Sequence, residues 1–177
     1  KEDVSIFTWV KPTTLNHVLV DERGTAYGVT PGWYATVIEM VDGKYNFRVY
    51  NCTKIVATNS TSLNTWHQVG FTYDGSTVIG YVDGVQVASG SCADRESPWE
   101  NVNNFPLYYG IATNPGTDLN SSGQYYGGFA MAGLQIYSSA LTSAQVASNQ
   151  PTVNFNANGG TGTIASQSKS SAGSLTR

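Results

Sequence analysis

The stretch that decides the fold is WHQVGFTYDGSTVIGYVDGVQVASG, residues 66–90. Three short runs of alternating apolar and polar residues are separated by Asp74-Gly75 and Asp83-Gly84, and a third such pair, Asp42-Gly43, lies upstream. An acidic residue beside a glycine can belong to a metal loop, a catalytic carboxylate or a turn. Asp-Gly between alternating apolar runs is a strong hairpin signal, because a type I′ turn needs positive φ at both central residues. All three pairs sit in that context, so the sequence predicts three hairpins rather than a centre of chemistry.

The same pattern continues outward. SIFTWVKP (5–12) and HVLVDE (17–22) read as strands, and GWYATVIEMVDGKYNFRVYN (32–51) as two strands joined at Asp42-Gly43. FPLYYGIA (105–112) and GGFAMAGLQIYSSA (127–140) complete the set. Short β-branched and aromatic runs punctuated by Gly, Pro, Asn and Asp predict an all-β antiparallel sandwich. One helix is predicted, in ALTSAQVASN (140–149), where Thr142 and Gln145 stand at capping-box spacing.

Composition narrows the function. Charged residues are 12% of the chain, against about 25% in typical domains, so the surface is built largely from Ser, Thr, Asn, Gly and Tyr. The net charge is −3 and no basic stripe appears, which argues against a nucleic-acid partner. No run approaches the roughly 20 apolar residues that span a bilayer, so direct membrane insertion is not expected. The chain begins with Lys1 rather than Met, and we expect it to be processed or part of something longer. Its two cysteines, Cys52 and Cys92, are expected to form a disulfide. Asn51, Asn59 and Asn120 each open an N-glycosylation triplet. Low charge, sequons and paired cysteines together place the chain in an extracellular or cell-surface compartment.

The run WHQVGFTYDGSTVIGYVDGVQVAS resembles the central hairpins of laminin-G-like, concanavalin A-like jelly-roll domains. IFTWVKPTTLN resembles their early strand, and MAGLQIYSSALTSAQVAS their closing strand and short helix. The resemblance implies a concanavalin A-like jelly roll over residues 1–149. TVNFNANGGTGTIASQS (152–168) is similar to the start of internalin-type B repeats, so residues 150–177 read as a linker and the beginning of a small, incomplete β-rich repeat. Members of the family often carry an acid near the closing strand, linked to structural calcium. Here the matching stretch is Met131-Ala132-Gly133-Leu134, without one. Asp21, Asp94 and Asp118, with Glu22 and Glu96, remain the oxygen donors that could bind Ca2+ from strand ends and loops.

Catalytic patterns are weak. Jelly-roll glucanases place Glu-x-Asp-x-x-Glu along one strand face, and that spacing is absent. Asp94, Glu96 and Glu100 occur in a stretch interrupted by Pro98. His17 and His67 lie far apart and lack the further ligands of a zinc site. Aromatic residues are the better lead. Trp9 and Trp66 lie in strands of the resemblance and are assigned to the core. Trp33, Tyr34, Trp99, Tyr108, Tyr109, Tyr125 and Tyr126 fall near predicted turns or loops and are candidate ligand contacts. The family pattern turns Val78, Gly80 and Val82 inward, so Ile79 and Tyr81 are expected on an open outer face, as further candidates.

The function expected from these readings is a non-catalytic extracellular recognition module, binding a glycan or glycoprotein within a larger surface protein. One alternative is a structural subunit or spacer of a surface filament, layer or virion, whose partners are neighbouring copies or domains. A second is a glycan-active enzyme of the same fold.

Overall fold

The computed structural model describes residues 3–23, 34–49, 52–92, 108–111, 128–150, 152–153 and 167–168. Strands β1 (Val4–Pro12) and β2 (His17–Arg23) are followed by the hairpin of β3 (Tyr34–Val41) and β4 (Lys44–Phe47), and then by β5 (Ile55–Val56). β6 (His67–Tyr73), β7 (Thr77–Val82) and β8 (Val85–Ser91) form the meander read from residues 66–90. β9 (Tyr108–Ile111) and β10 (Phe129–Tyr137) precede the helix α1 (Ser143–Ser148). Two two-residue strands, β11 (Thr152–Val153) and β12 (Gln167–Ser168), pair with each other.

The strands form two five-stranded sheets, in the order β10-β1-β6-β7-β8 (front) and β5-β4-β3-β2-β9 (back), with antiparallel neighbours throughout. This is the predicted jelly-roll sandwich. Alternation builds its core. From the front sheet Ile6, Val10, Val69, Phe71, Tyr73 and Val78 turn inward, and from the back sheet Val20, Ile38, Met40, Tyr45 and Phe47 meet them. Each such large apolar side chain contributes roughly 2 kcal/mol by leaving water. Gly80 belongs to this inward set, and it is a glycine because the Phe47 ring of the opposite sheet packs directly on it.

Two of the three Asp-Gly pairs form the expected turns. Asp42 and Gly43 have φ of 50° and 76°, and Asp83 and Gly84 have 53° and 75°. The third departs from expectation, since at Asp74-Gly75 only the glycine is left-handed, with φ 83°. Asp74 instead organises a longer loop through its side chain. Its Oδ1 accepts from the backbone N–H of Ser76 (2.9 Å) and Thr77 (2.7 Å) and from the Ser76 hydroxyl (2.8 Å). The Ser76 hydroxyl, foremost, and the Thr77 amide hold its carboxyl below the usual carboxylate range.

The disulfide is present. Cys52 and Cys92 are bonded, 5.6 Å apart at Cα, joining the segment before β5 to the end of β8 and so tying the two sheets together. Closing a loop of sequence separation 40 stabilises the fold by about 4 kcal/mol in the chain-entropy account.

The helix is shorter than the stretch that predicts it, but it starts where the capping box places it. The Gln145 N–H donates to Thr142 Oγ1 (3.3 Å), and the Thr142 N–H donates to Gln145 Oε1 (2.8 Å). Six residues are too few to hold a helix by themselves. Docking holds this one, as Val146 enters a cluster with Phe7 and Tyr81, backed by Ile79, Tyr137 and Leu141. Ser5 fixes the approach by donating to the Ser139 carbonyl (2.7 Å) and accepting from the Leu141 N–H (2.9 Å).

Candidate functional site

α1 covers only part of the outer face of the front sheet, and the division follows from sequence. On β1 the residues that alternate with Ile6 and Val10 are Ser5, Phe7, Trp9 and Lys11. Phe7 is 1% exposed beneath Val146. Its ring packs over Gly70 of the neighbouring strand, where a Cβ would collide with it. The helix ends at Ser148, so Trp9 and Lys11 are not covered and both are only half-buried.

The β-ladder places the neighbours of these two side chains. In one rung Trp9 stands between Ala132 of β10 and Gln68 of β6. In the next outward rung Lys11 pairs with Ala130, and the β1–β6 register, continued one step past Val10–His67, brings it opposite Trp66. Ala130 and Ala132 are exposed and Trp66 is half-buried. The result is a shallow platform three strands, about 10 Å, across. Two indoles and one ammonium rise from it, beside alanines too small to fill the space next to them. The indole edge of Trp9 lies near Gly133 of β10, a glycine whose φ of 61° is left-handed.

One wall of the platform is made of amides. Gln68 is 2% exposed because Gln150 lies on it, and Gln150 Nε2 donates to Gln68 Oε1. Asn149 Nδ2 donates to Gln135 Oε1 (3.1 Å) and to the Tyr137 hydroxyl (3.2 Å). Flat apolar rings bordered by fixed amides give stacking surface and hydrogen-bonding groups together.

Sequence reasoning missed this site. It assigned Trp9 and Trp66 to the core, whereas neither is fully buried and Trp9 turns outward. The signal was available: once Ile6 and Val10 are taken as inward, the period of two puts Trp9 on the other face. The converse expectation for β7 also needs correction. Tyr81 does face away from the core, but it is 2% exposed, with its ring 6.1 Å from that of Phe7 under α1. Ile79 is partly buried against the same cluster. The face predicted to be open is closed there by the helix.

The other candidates are distributed as follows. In the back sheet Arg23 pairs with Tyr34 on one side and Tyr108 on the other, so the backbone places these two tyrosine positions in one rung; Tyr109 pairs with Glu22. Trp33, Trp99, Tyr125 and Tyr126 lie outside the described residues, as do Asp94, Asp118, Asn51 and Asn120. Asn59 is exposed. Asp21 is fully buried, and no group of three or more metal-ligating side chains occurs among the described residues. Nearby on the back sheet, Glu39 is 2% exposed and accepts from Lys54 Nζ (2.8 Å) and Asn46 Nδ2 (3.2 Å) on the same oxygen.

A hydrogen-bond relay runs through the base of the β7–β8 turn. Ser62 Oγ lies 2.8 Å from His67 Nε2, and His67 Nδ1 lies 2.7 Å from Asp83 Oδ2. Asp83 Oδ1 accepts from the Gln68 N–H (2.9 Å). The order resembles a nucleophilic triad. Both carboxylate oxygens are engaged, and the relay joins the loop at Ser62, the start of β6 and the Asp83-Gly84 turn. It therefore accounts for the Trp-His and Asp-Gly pairs of the opening stretch as one structural unit.

With this geometry in place, the comparisons with known proteins agree on the fold. Residues 1–147 match a laminin-G family described as the concanavalin A-like lectin/glucanases superfamily, and the chain belongs to it. No curated protein sequence matches it significantly. Among solved structures it is similar to a Bacteroides ovatus protein labelled a carbohydrate binding protein (14% identity, TM-score 0.55, 83% of this chain and 40% of that one). It is also similar to a Trypanosoma rangeli sialidase (13% identity, TM-score 0.57, 82% and 22%). A third is a pentraxin from Limulus polyphemus (16% identity, TM-score 0.51, 82% and 68%). The chain thus spans 40% and 22% of the first two proteins, and at these identities the likeness shows the fold alone. No helix among the described residues is long and apolar enough to cross a membrane.

Proposed function

We propose that the protein is a non-catalytic, extracellular carbohydrate-binding module of a larger surface protein, and that its glycan lies on the platform of Trp9, Lys11 and Trp66. The observation that carries the reading is the outward, incompletely buried Trp9 on a strand face flanked by alanines and amides. An indole on a water-exposed sheet face gains little for folding that a polar residue would not also give. It offers an apolar plane on which the C–H face of a sugar ring can stack. Placement outside the cell is supported by the disulfide and the low charge of the surface. The fold neighbours labelled carbohydrate-binding protein and sialidase add weight at the level of fold.

A glycan array probed with the wild-type chain and with Trp9→Ala tests this. Specific signals that disappear in Trp9→Ala, with the melting temperature kept within a few degrees, are expected. Signals unchanged by Trp9→Ala would move the site elsewhere, with the tyrosines at 34, 108, 109, 125 and 126 and the tryptophans at 33 and 99 as the next set to substitute.

A second reading, as a subunit or spacer of a surface assembly, is favoured by one observation. β10 borders the front sheet and runs nine residues, FAMAGLQIY, without a charge or a proline. Such an edge is a template for pairing with another strand. Light scattering decides it: self-association that grows with concentration and is abolished by Ile136→Lys supports assembly, and a monomer at high concentration removes it.

A further inference from the structure

We infer that the platform selects glycans carrying a carboxylate, such as a uronic or sialic acid residue, over neutral ones; this rests on the platform being the glycan site. The argument is a matching of donors. Two polar groups on the platform have no partner among the described residues: the indole N–H of Trp9 and the ammonium of Lys11. Both only donate. The alternation of β1 puts them on the same face, about 7 Å apart at Cα. A ligand that satisfies both must present acceptors, and three ammonium donors are matched best by a charged oxygen pair.

The surroundings favour the same answer. Across the two rungs the side chains on β10, β1 and β6 are Ala132, Trp9, Gln68, Ala130, Lys11 and Trp66, of which Lys11 alone is charged; beyond Gln68 lies Asp83, whose carboxylate is already engaged by the His67 ring and the Gln68 N–H. The chain as a whole carries −3, so general attraction of anions does not explain such a preference; it must come from this lysine. Trp66, opposite Lys11 in the continued register, adds a second aromatic residue to the same rung. A sugar ring stacked on Trp9 would then direct its carboxylate along β1 toward Lys11, while its hydroxyl or acetamido groups reach Gln135 and Asn149.

The test is calorimetric titration of the full chain with 3′-sialyllactose, a glucuronate-terminated disaccharide and lactose, at 20 mM and 300 mM NaCl. At least one acidic sugar is expected to bind about tenfold or more tighter than lactose at low salt, with the preference shrinking at high salt. Lys11→Gln should abolish the preference while leaving weak binding of both classes, Lys11→Arg should keep it, and Trp9→Ala should remove both. Equal binding of acidic and neutral sugars, or a preference that survives Lys11→Gln, overturns the inference and leaves the glycan reading intact. No binding of any sugar by a folded chain overturns both.

Discussion

Acid should weaken this sandwich through one residue, His17. It opens β2, faces the core and is fully buried. Its ring lies 5.1 Å from that of Phe129 and 6.3 Å, edge-on, from that of Tyr45. Neither ring nitrogen has a hydrogen-bond partner among the described residues. Burial therefore disfavours the imidazolium and lowers the pKa from 6.5 to about 4; the Thr14 backbone opposes this without reaching hydrogen-bond geometry. In the unfolded chain His17 titrates normally. Between pH 6.5 and about 4 the unfolded state therefore holds a proton that the folded state does not, and stability falls as pH falls. At about 1.4 kcal/mol per unit, the loss is about 2 kcal/mol at pH 5 and about 3 kcal/mol once pH is below the folded value. Against a total of 5–15 kcal/mol for a typical domain this is a large fraction.

Urea denaturation at pH 7 and pH 5, on the wild type and on His17→Phe, measures it. The phenyl ring fills nearly the same space and cannot titrate. Every other titratable group is common to both proteins, so the difference of differences isolates His17. The wild type should lose about 2 kcal/mol more than His17→Phe between the two pH values. An equal loss in both, or an imidazole C–H resonance of His17 that titrates near 6.5 in the folded protein, would refute the argument.

Three further outcomes follow from packing. Gly80→Ala pushes a methyl group into the Phe47 ring, so it should cost about 1–3 kcal/mol in urea melts, and Phe47→Leu in the same chain should recover part of it. Replacing Cys52 and Cys92 by serine should cost about 4 kcal/mol, read as a lower melting temperature that added reductant no longer changes; a wild type indifferent to reductant would contradict the cross-link's role. Tyr81→Ala removes the ring that α1 packs on and should cost about 3–5 kcal/mol, whereas Tyr81→Phe should leave glycan binding unchanged; loss of binding in Tyr81→Phe would restore Tyr81 as a ligand contact.

What could be read from the sequence, and what could not, divides along a physical line. The hairpins at Asp42-Gly43 and Asp83-Gly84 were legible because a left-handed pair of central residues is a local demand, which only a few residue types meet. The capping box of α1 was legible for the same reason. Asp74-Gly75 shows the limit of such reading. The dipeptide is identical, but Ser76 and Thr77 supply donors that draw the aspartate into a side-chain-capped loop instead. Exposure on the front sheet was harder still, because it depends on where six residues of helix come to rest, 60 to 140 positions away in sequence. Alternation correctly sends both Tyr81 and Trp9 away from the core. It cannot tell that Val146 descends on Phe7 and Tyr81 while the helix stops short of Trp9. Register supplies the missing step. Once Trp9 is opposite Ala132 and Gln68, and Lys11 opposite Ala130, the uncovered half of the face has a chemical character. The Trp9 indole N–H and the Lys11 ammonium, which have no partner among the described residues, both donate, which is why the ligand argued for here is defined by the acceptors it must bring.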